Sequence, residues 1–236
     1  MKVLITGSTQ GIGLAIAAAF VKDGHEVTVH CASDLEKAKR VAEKIGASGA
    51  VVCDLSKMDE VDALIEKTGD VDVLVLNASV QFRNPYTDIT DEELDTQLNV
   101  NFKSTFKLIR AYSEGMKEKG FGRIVTIGSV QQSKPHKDMA IYAATKCAVV
   151  SLVKNLAKQL APFGVTLNNV APGVIATPRN EAALADPEYR QKVLAGIPLG
   201  YAGEAQDMAA TILLLAGEGG RYITGADIVV DGGMSL

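Results

Sequence analysis

This sequence of 236 residues has few cysteines and a small net charge. Its three cysteines, Cys31, Cys53 and Cys147, are odd in number and far apart, so they predict neither a disulfide framework nor a metal site. The formal net charge is −4 and no basic cluster occurs, which argues against nucleic acid or an anionic membrane as a partner. We therefore expect a metal-free protein of a reducing cytoplasm.

A leader sequence and a long apolar run are also lacking. The chain starts MKVLITG, which leads directly into a strand-like pattern. We find no basic-then-apolar leader and no apolar span of about 18 residues, so we expect neither export nor membrane insertion. With 47% apolar and 22% charged residues, the composition is that of a globular protein with a substantial core.

Seven β-branched segments are separated by longer stretches with apolar residues every three or four positions. The segments are continuously apolar, which is typical of parallel strands covered on both faces. No linker or repeat interrupts the alternation, so we expect one doubly wound α/β domain over residues 1–236. The predicted strands cover residues 3–6, 27–30, 49–54, 71–77, 122–129, 165–172 and 226–231.

A glycine-rich turn, TGSTQGIG at residues 6–13, joins the first predicted strand to the first predicted helix. Its glycines allow a sharp turn and close approach of the backbone to a pyrophosphate. The helix N-terminus adds unpaired N–H groups and the positive end of its dipole. Because the first βα turn is the usual dinucleotide position in such a sheet, we expect a dinucleotide cofactor here.

The segment YAATK places Tyr142 and Lys146 four residues apart. On a helix this spacing puts both side chains on one face, within reach of each other. A nearby ammonium group stabilises a phenolate and lowers the pKa of the phenol, which is about 10 when unperturbed. The pair is therefore a candidate proton donor and acceptor.

Further motifs follow in order along the chain. They are NAS at 77–79, Asn101 within LNVNF, Ser129 after the fifth strand, and PGVIAT at 172–177. With the glycine-rich turn and YAATK, this set closely resembles the short-chain dehydrogenase/reductase family over essentially the whole chain. The resemblance implies a Rossmann-type seven-stranded parallel sheet flanked by helices. It also implies an NAD(P)(H)-dependent oxidoreductase that interconverts a secondary alcohol and a ketone by hydride transfer.

The resemblance implies a catalytic tetrad of Asn101, Ser129, Tyr142 and Lys146. Tyr142 would be the general acid and base, and Lys146 would lower its pKa and hold the nicotinamide ribose. Ser129 would donate a hydrogen bond to the carbonyl oxygen. Asn101 would help to hold a water that relays protons to Lys146.

The resemblance also implies the cofactor wall. Two departures from the family pattern stand out: Ser79 replaces the glycine of an NAG motif, and Gln10 stands where many NADP-dependent relatives have a basic residue. The implied cofactor residues are Gly7, Ser8, Gln10, Gly11, Ile12, Gly13, Ser33, Asp54, Leu55, Asn77, Ala78, Tyr142, Lys146, Pro172, Gly173 and Thr177.

The end of the second strand bears on the choice between NAD and NADP. NAD sites usually carry an acid there for the ribose hydroxyls. Here the chain reads VTVHCASDLEK, with Cys31 at the expected carboxylate position. Ser33, His30 or Lys37 could meet a phosphate instead. We therefore expect NADP(H) to be preferred over NAD(H).

Residues 176–200 form a long helical insertion beyond a strand end, where a substrate lid is expected. Gln131, His136 and Arg179 make this neighbourhood polar, so we expect a small polar or sugar-like substrate, with Arg179 meeting a carboxylate or phosphate. A 3-oxoacyl-[acyl-carrier-protein] reductase is an alternative, and would need a basic patch at the site mouth. An alternative of another class is a nucleotide-sensing regulator without turnover.

Two helical segments carry more apolar residues than one face needs. One begins at Thr90 with a capping-box pattern, and the other spans about 139–160. A helix that is apolar nearly all round is buried on both sides, either by its own sheet or by another subunit. We expect a homo-oligomer, a dimer or tetramer, formed through these helices.

Overall fold

The computed structural model describes residues 1–236, apart from the side chain at position 183. Its sheet has seven parallel strands in the order β3-β2-β1-β4-β5-β6-β7. All seven predicted segments are confirmed as strands, with ends that differ by up to two residues. The strands are β1 Lys2–Ile5, β2 Glu26–Cys31, β3 Gly49–Val52, β4 Val73–Leu76, β5 Gly122–Ile127, β6 Val165–Pro172 and β7 Asp227–Val230.

Helices cover both faces of this sheet. On one face α1 and α9 pack over a core that includes Phe20, Val75 and Ile212. On the other face α3, α5 and α6 pack over a core that includes Leu108 and Leu167. The helices are α1 Gly11–Lys22, α2 Leu35–Ile45, α3 Met58–Thr68, α4 Asp91–Leu98, α5 Ser104–Lys119, α6 Ala140–Leu160, α7 Pro178–Ala185, α8 Pro187–Ala195 and α9 Ala205–Ala216.

The strand order explains why the sequence pattern is continuous rather than alternating. Every residue of β5 and β6 is buried, because helices cover both sides of the middle of the sheet. The edge strand β7 is only half-buried. Between β1 and β4 the strand order reverses direction, and in such sheets the ligand crevice lies at the carboxyl ends of the strands around that point.

The predicted helix beginning at Thr90 is interrupted. Thr90 and Glu93 form the expected capping box at its start. Residues 99–103 then form a π-helical turn between α4 and α5. At this turn the hydroxyls of Ser104 and Thr105 donate to the carbonyl oxygens of Val100 and Asn101. Such turns often occur at functional positions, and this one contains a residue of the predicted tetrad.

Helix α6 with its continuation, Ala140–Phe163, is long and apolar enough to cross a membrane by length and composition alone, with a mean hydropathy of 1.2. This one helix does not overturn the prediction that the chain is not inserted in a membrane. Core helices of globular proteins meet the same criterion, and α6 packs along β6 and buries Lys146.

The predicted insertion at 176–200 contains two short helices, α7 and α8. Two backbone hydrogen bonds join the chain before and after this segment. Ala176 N–H donates to the carbonyl oxygen of Gly203, and Gly203 N–H donates to the carbonyl oxygen of Val174. Asp186 caps α8 by accepting from two backbone N–H groups. The segment therefore leaves the sheet after β6 and returns to the same place before α9.

Candidate active site

The glycine-rich turn has the geometry of a phosphate cradle. Gly7 and Gly11 have φ values of +62° and +55°, a region that other residues rarely adopt. A Cβ at Gly13 would collide with the carbonyl oxygen of Gly7, so this position requires glycine for close packing of α1 on the turn. Gln10, the N-cap of α1, makes no side-chain cap bond within the described structure. The first N–H groups of α1 are therefore available to an anionic group.

Asn77 fixes the turn from the side of β4. Its side-chain amide donates to the carbonyl oxygens of Thr6 and Gly7, at 3.0 and 2.9 Å. In return, the hydroxyl oxygen of Thr6 accepts from the N–H groups of Asn77 and Ala78, both at 3.0 Å. The turn is thus rigid before any ligand binds, which reduces the entropy lost on binding.

The ends of β2 and β3 form one end of the cleft, where the sequence analysis predicts the adenosine; it is called the adenosine end below. Asp54 and Leu55 line it, with Cys31, Ala32 and Lys37 opposite. The Lys37 amine donates to the amide oxygen of Gln10 at 3.0 Å, and both residues line the cleft. Burial raises the pKa of the Asp54 carboxyl, but hydrogen bonds from Ser56 and the charge of Lys57 lower it on balance.

Ser8, His30 and Ser33 do not lie where the sequence analysis put them. Ser8 is fully buried; its hydroxyl donates to the carbonyl oxygen of Ile5 and accepts from His30 N–H. The His30 ring accepts from Gly7 N–H and is 1% exposed, so it is not free to meet a phosphate. Ser33 is exposed and lies outside the described cleft lining, in which Ala32 occupies the end of β2 instead.

Ser129 and Tyr142 line the middle of the same cleft and are 8% and 5% exposed. Ser129 follows β5, and its hydroxyl oxygen accepts from Gln131 N–H at 3.2 Å. Gln131 also lines the cleft, and its buried amide oxygen has no hydrogen-bond partner among the described atoms. A buried acceptor without a partner is uncommon in proteins and is expected to receive a ligand donor or water.

The Tyr142 and Lys146 side chains are neighbours, as their spacing predicts. The Lys146 Nζ lies 5.6 Å from the centroid of the Tyr142 ring. The amine is 4% exposed and donates to the carbonyl oxygen of Ile127 at 2.7 Å. Burial lowers the pKa of Lys146 to about 7, and the charge of Arg179 acts in the same direction. The amine can therefore gain or lose a proton near neutral pH.

Both polar atoms of the Asn101 side-chain amide are hydrogen-bonded. Its amide oxygen accepts from Val80 N–H, and its amide nitrogen donates to the Val80 carbonyl oxygen and to the Thr145 hydroxyl oxygen. Thr145 in turn donates to the carbonyl oxygen of Tyr142 at 2.7 Å. Asn101 thus connects the end of β4 to the turn of α6 that carries Tyr142. Sequence spacing gave no signal for Val80 or Thr145.

Arg179 bridges the cleft rather than standing free. Its two terminal nitrogens donate to the Ser79 hydroxyl oxygen at 3.0 Å and to the Ser79 carbonyl oxygen at 2.7 Å. The serine that departs from the family pattern is therefore the partner of the lid arginine. His136 does not join the site: its ring accepts from Asp138 N–H in a local turn and lies outside the described cleft lining.

The cleft has a volume of about 430 Å³. Within the described residues, Ser8, Ser33, Asn101, His136 and Lys146 are the predicted site residues that do not line it, although Asn101 and Lys146 contact residues that do. The predicted residues that line the cleft are Gly7, Gln10, Gly11, Ile12, Gly13, Asp54, Leu55, Asn77, Ala78, Ser129, Gln131, Tyr142, Pro172, Gly173, Thr177 and Arg179.

A doubly wound sheet with a rigid glycine turn and a phenol beside a buried amine defines a dinucleotide-binding oxidoreductase. A family model described as Enoyl-(Acyl carrier protein) reductase matches residues 7–235. The 3-oxoacyl-[acyl-carrier-protein] reductase FabG of Staphylococcus aureus is 36% identical over 241 residues, covering 99% of this chain and 97% of the relative.

A second curated relative and a solved structure are also similar to this chain. A 3beta-hydroxysteroid dehydrogenase 1 of Eggerthella lenta is 37% identical over 243 residues, covering 99% of this chain and 93% of the relative. A crystal structure of a 3-oxoacyl (acyl-carrier-protein) reductase from Agrobacterium tumefaciens C58 with NADP bound is 34% identical. Its TM-score is 0.93, and the match covers 98% of this chain and 93% of that one.

The chain belongs to the short-chain dehydrogenase/reductase family. It is an NAD(P)-dependent enzyme of that family, acting on CH–OH groups. The alternative of a nucleotide-sensing regulator without turnover is therefore not supported.

Proposed function

We propose that this chain is an NADP(H)-dependent reductase of a small polar ketone, with Tyr142 as the group that passes a proton to the carbonyl oxygen. The observation that carries the proposal is that Tyr142 and Ser129 line the same cleft, with the buried Lys146 amine 5.6 Å from the centroid of the Tyr142 ring. When bound, the nicotinamide dinucleotide supplies or accepts the hydride. The chain's own residues then have to bind, orient and move one proton.

Tyr142 donates that proton as the substrate oxygen gains negative charge. The Ser129 hydroxyl donates a second hydrogen bond to the same oxygen and fixes its angle. Lys146, when protonated, stabilises the phenolate left on Tyr142. Because its pKa lies near 7, Lys146 can also return a proton to the phenol. Asn101 bonds to Val80, after β4, and to Thr145 on α6, and so keeps Tyr142 in position for this proton transfer.

Three groups would hold the dinucleotide. The N-terminus of α1 would bind the pyrophosphate, Asp54 would face the adenine, and Thr177 would orient the nicotinamide carboxamide. The preference for NADP(H) is supported by Lys37, a basic residue of the cleft lining whose amine bonds to Gln10. Neither Cys31 nor Ala32, which line the adenosine end, is a carboxylate residue of the kind that would repel a phosphate.

The polar lining supports a small polar or sugar-like substrate. The unpartnered amide oxygen of Gln131 is an acceptor for a substrate hydroxyl, next to Ser129. Arg179 uses two N–H groups on Ser79 and keeps further donors for a carboxylate or phosphate. In this assignment α7 and α8 form the lid of a single domain.

A 3-oxoacyl-[acyl-carrier-protein] reductase is the second candidate. It is favoured by the names of two relatives. It is also favoured by a cavity of about 630 Å³ under the lid, which shares Thr177 and Pro178 with the cleft and includes Leu184 and Leu194 in its lining. An acyl chain fits such a lining better than a sugar does. Exposed basic side chains that could meet an acidic carrier are Arg83, Lys137, Arg179 and Arg190.

We also propose that the enzyme is a homo-oligomer in the cytoplasm, paired through α5 and α6. On α6 a row of small side chains, including Ala144, Cys147 and Ser151, is exposed, and Phe106 of α5 is 38% exposed. Close helix packing across a twofold axis would cover this row. A monomeric mass by light scattering at micromolar concentration would contradict the pairing.

The test is oxidation of NADPH and NADH against ketoses, keto acids, diketones and acyl thioesters. We expect turnover with at least one carbonyl compound, and a loss of at least a thousandfold in kcat for Tyr142→Phe with little change in cofactor affinity. Tyr222→Phe is the matched control, because Tyr222 is 98% exposed. Full activity of Tyr142→Phe would refute the assignment, and activity on acyl thioesters alone would select the second candidate.

A further inference from the structure

His30 is a buried polar residue to which the proposed chemistry gives no role. It lies near the end of β2, and its ring reaches under the glycine-rich turn that follows β1. Its side chain is 1% exposed, and both ring nitrogens are bonded. Nδ1 accepts from Gly7 N–H at 2.9 Å, and Nε2 lies 3.0 Å from the carbonyl oxygen of Cys53.

These partners determine which form of the ring is present. Gly7 N–H can only donate, so Nδ1 must be an unprotonated acceptor. The Cys53 carbonyl can only accept, so Nε2 carries the hydrogen. The ring is therefore neutral and has one orientation. Burial lowers the pKa of His30 to about 4, which keeps this form through the neutral range.

The ring joins the two ends of the dinucleotide site. On one side the ring accepts from Gly7 N–H. The backbone of His30 makes two further bonds with Ser8: Ser8 N–H donates to the His30 carbonyl oxygen, and His30 N–H donates to the Ser8 hydroxyl oxygen. On the other side the ring holds Cys53, which immediately precedes Asp54 at the adenosine end. Asn77 holds the same turn from the side of β4, where its amide donates to the carbonyl oxygens of Thr6 and Gly7.

The bond to Gly7 also decides which groups remain for the phosphates. Gly7 N–H points to His30 and is not available to a ligand, so the anion must be met by the N–H groups that begin α1. The peptide at Gly7 has to keep its left-handed φ of +62° for α1 to start in the right place. Without an acceptor under it, this buried N–H would be unpaired, or the turn would rotate to find another partner.

We propose that His30 is a positioning residue for the dinucleotide, which fixes the Gly7 peptide and thereby the start of α1. The ionisable side chains near it are Cys31 on its own strand, Cys53 and Asp54 after β3, and Lys37 on α2. None of them contributes to the lowered pKa of His30, which follows from burial and is opposed by the backbone hydrogen bonds. The role rests on the proposed binding of NADP at this turn.

A matched pair of variants separates the two bonds. In His30→Asn the side-chain oxygen takes the place of Nδ1 and can still accept from Gly7, but the bond to Cys53 is lost. In His30→Gln the longer amide can still donate to the Cys53 carbonyl oxygen, but the acceptor for Gly7 is lost. Each variant therefore loses one buried hydrogen bond, and their folding stabilities should fall by similar amounts.

The measurements are the dissociation constant of NADP+ by calorimetry at pH 7.5 and hydrogen exchange of the turn peptide in the ligand-free protein. We expect His30→Gln to bind NADP+ at least tenfold more weakly than wild type and to exchange the turn amides faster. His30→Asn should stay within threefold of wild type. Equal losses in both variants, or no loss in His30→Gln, would overturn the proposal. Failure of wild type to bind NADP+ or NAD+ would instead refute the proposed function.

A third measurement does not depend on the folding of either variant. In the 15N-labelled wild-type protein, a hydrogen bond from Gly7 N–H to Nδ1 gives a scalar coupling between the two nitrogens. We expect this coupling, together with a 15N shift of an unprotonated Nδ1, in the ligand-free and NADP+-bound protein. A protonated Nδ1, or a coupling lost when NADP+ binds, would show that His30 does not hold the turn in the complex.

Discussion

Replacing Lys146 by methionine should stabilise the ligand-free protein while abolishing turnover. Folding takes this amine from water into a site where it is 4% exposed. In the unfolded chain the amine holds its proton up to a pH of about 10.4, whereas in the folded chain its pKa is about 7. Between these values the unfolded state binds more protons, so stability rises as the pH rises from about 7 towards 10.

The magnitude follows from the size of this shift. A pKa change from 10.5 to about 7 corresponds to about 5 kcal/mol, because each unit is worth about 1.4 kcal/mol. This penalty is fully present below pH 7 and falls to about 2 kcal/mol at pH 9. Methionine removes the penalty but also removes the hydrogen bond to the Ile127 carbonyl oxygen, at about 1 to 2 kcal/mol. We expect a net gain of about 3 kcal/mol near pH 6.5.

Urea unfolding at pH 6.5 and 9.0 measures this effect in both proteins. Wild type should gain about 2 to 3 kcal/mol between the two values relative to Lys146→Met. Lys154→Met is the matched control, because Lys154 lies two turns further along α6 and is exposed. If Lys146→Met is less stable than wild type at pH 6.5, or if its pH dependence matches that of wild type, the inferred burial penalty is refuted.

Three further outcomes are expected. Ala32→Asp, at the adenosine end of the cleft, should raise KM for NADPH more than tenfold and leave KM for NADH nearly unchanged, with the neutral Ala32→Asn as control. Arg179→Ala should raise KM about tenfold for an anionic substrate but not for a neutral one, and equal changes for both would exclude a charged contact. His30 should lower the free energy of unfolding by about 3 kcal/mol as the pH drops from 6.5 to 4, because it takes up a proton at a higher pH in the unfolded chain than in the folded one. Urea unfolding of His30→Asn should lack this component.

Local patterns decided the larger part of the fold. Continuous apolar segments predicted the strands because β5 and β6 are covered on both faces, so every position is buried. The spacing of Tyr142 and Lys146 predicted their contact because one helical turn separates them. Glycines in the first βα turn predicted its shape because the required φ values are a property of those residues alone.

Only the tertiary structure decided the contacts between distant parts of the chain. Arg179 and Ser79 meet across 100 positions, and Gly7 and His30 across 23, because parallel strands β1, β2, β4 and β6 all end at the same edge of the sheet. The π-helical turn at 99–103 arises where Asn101 must reach Val80 and Thr145 together. Such contacts depend on strand order and register. No local pattern in the sequence encodes these, since the partners become neighbours only when the whole sheet has formed.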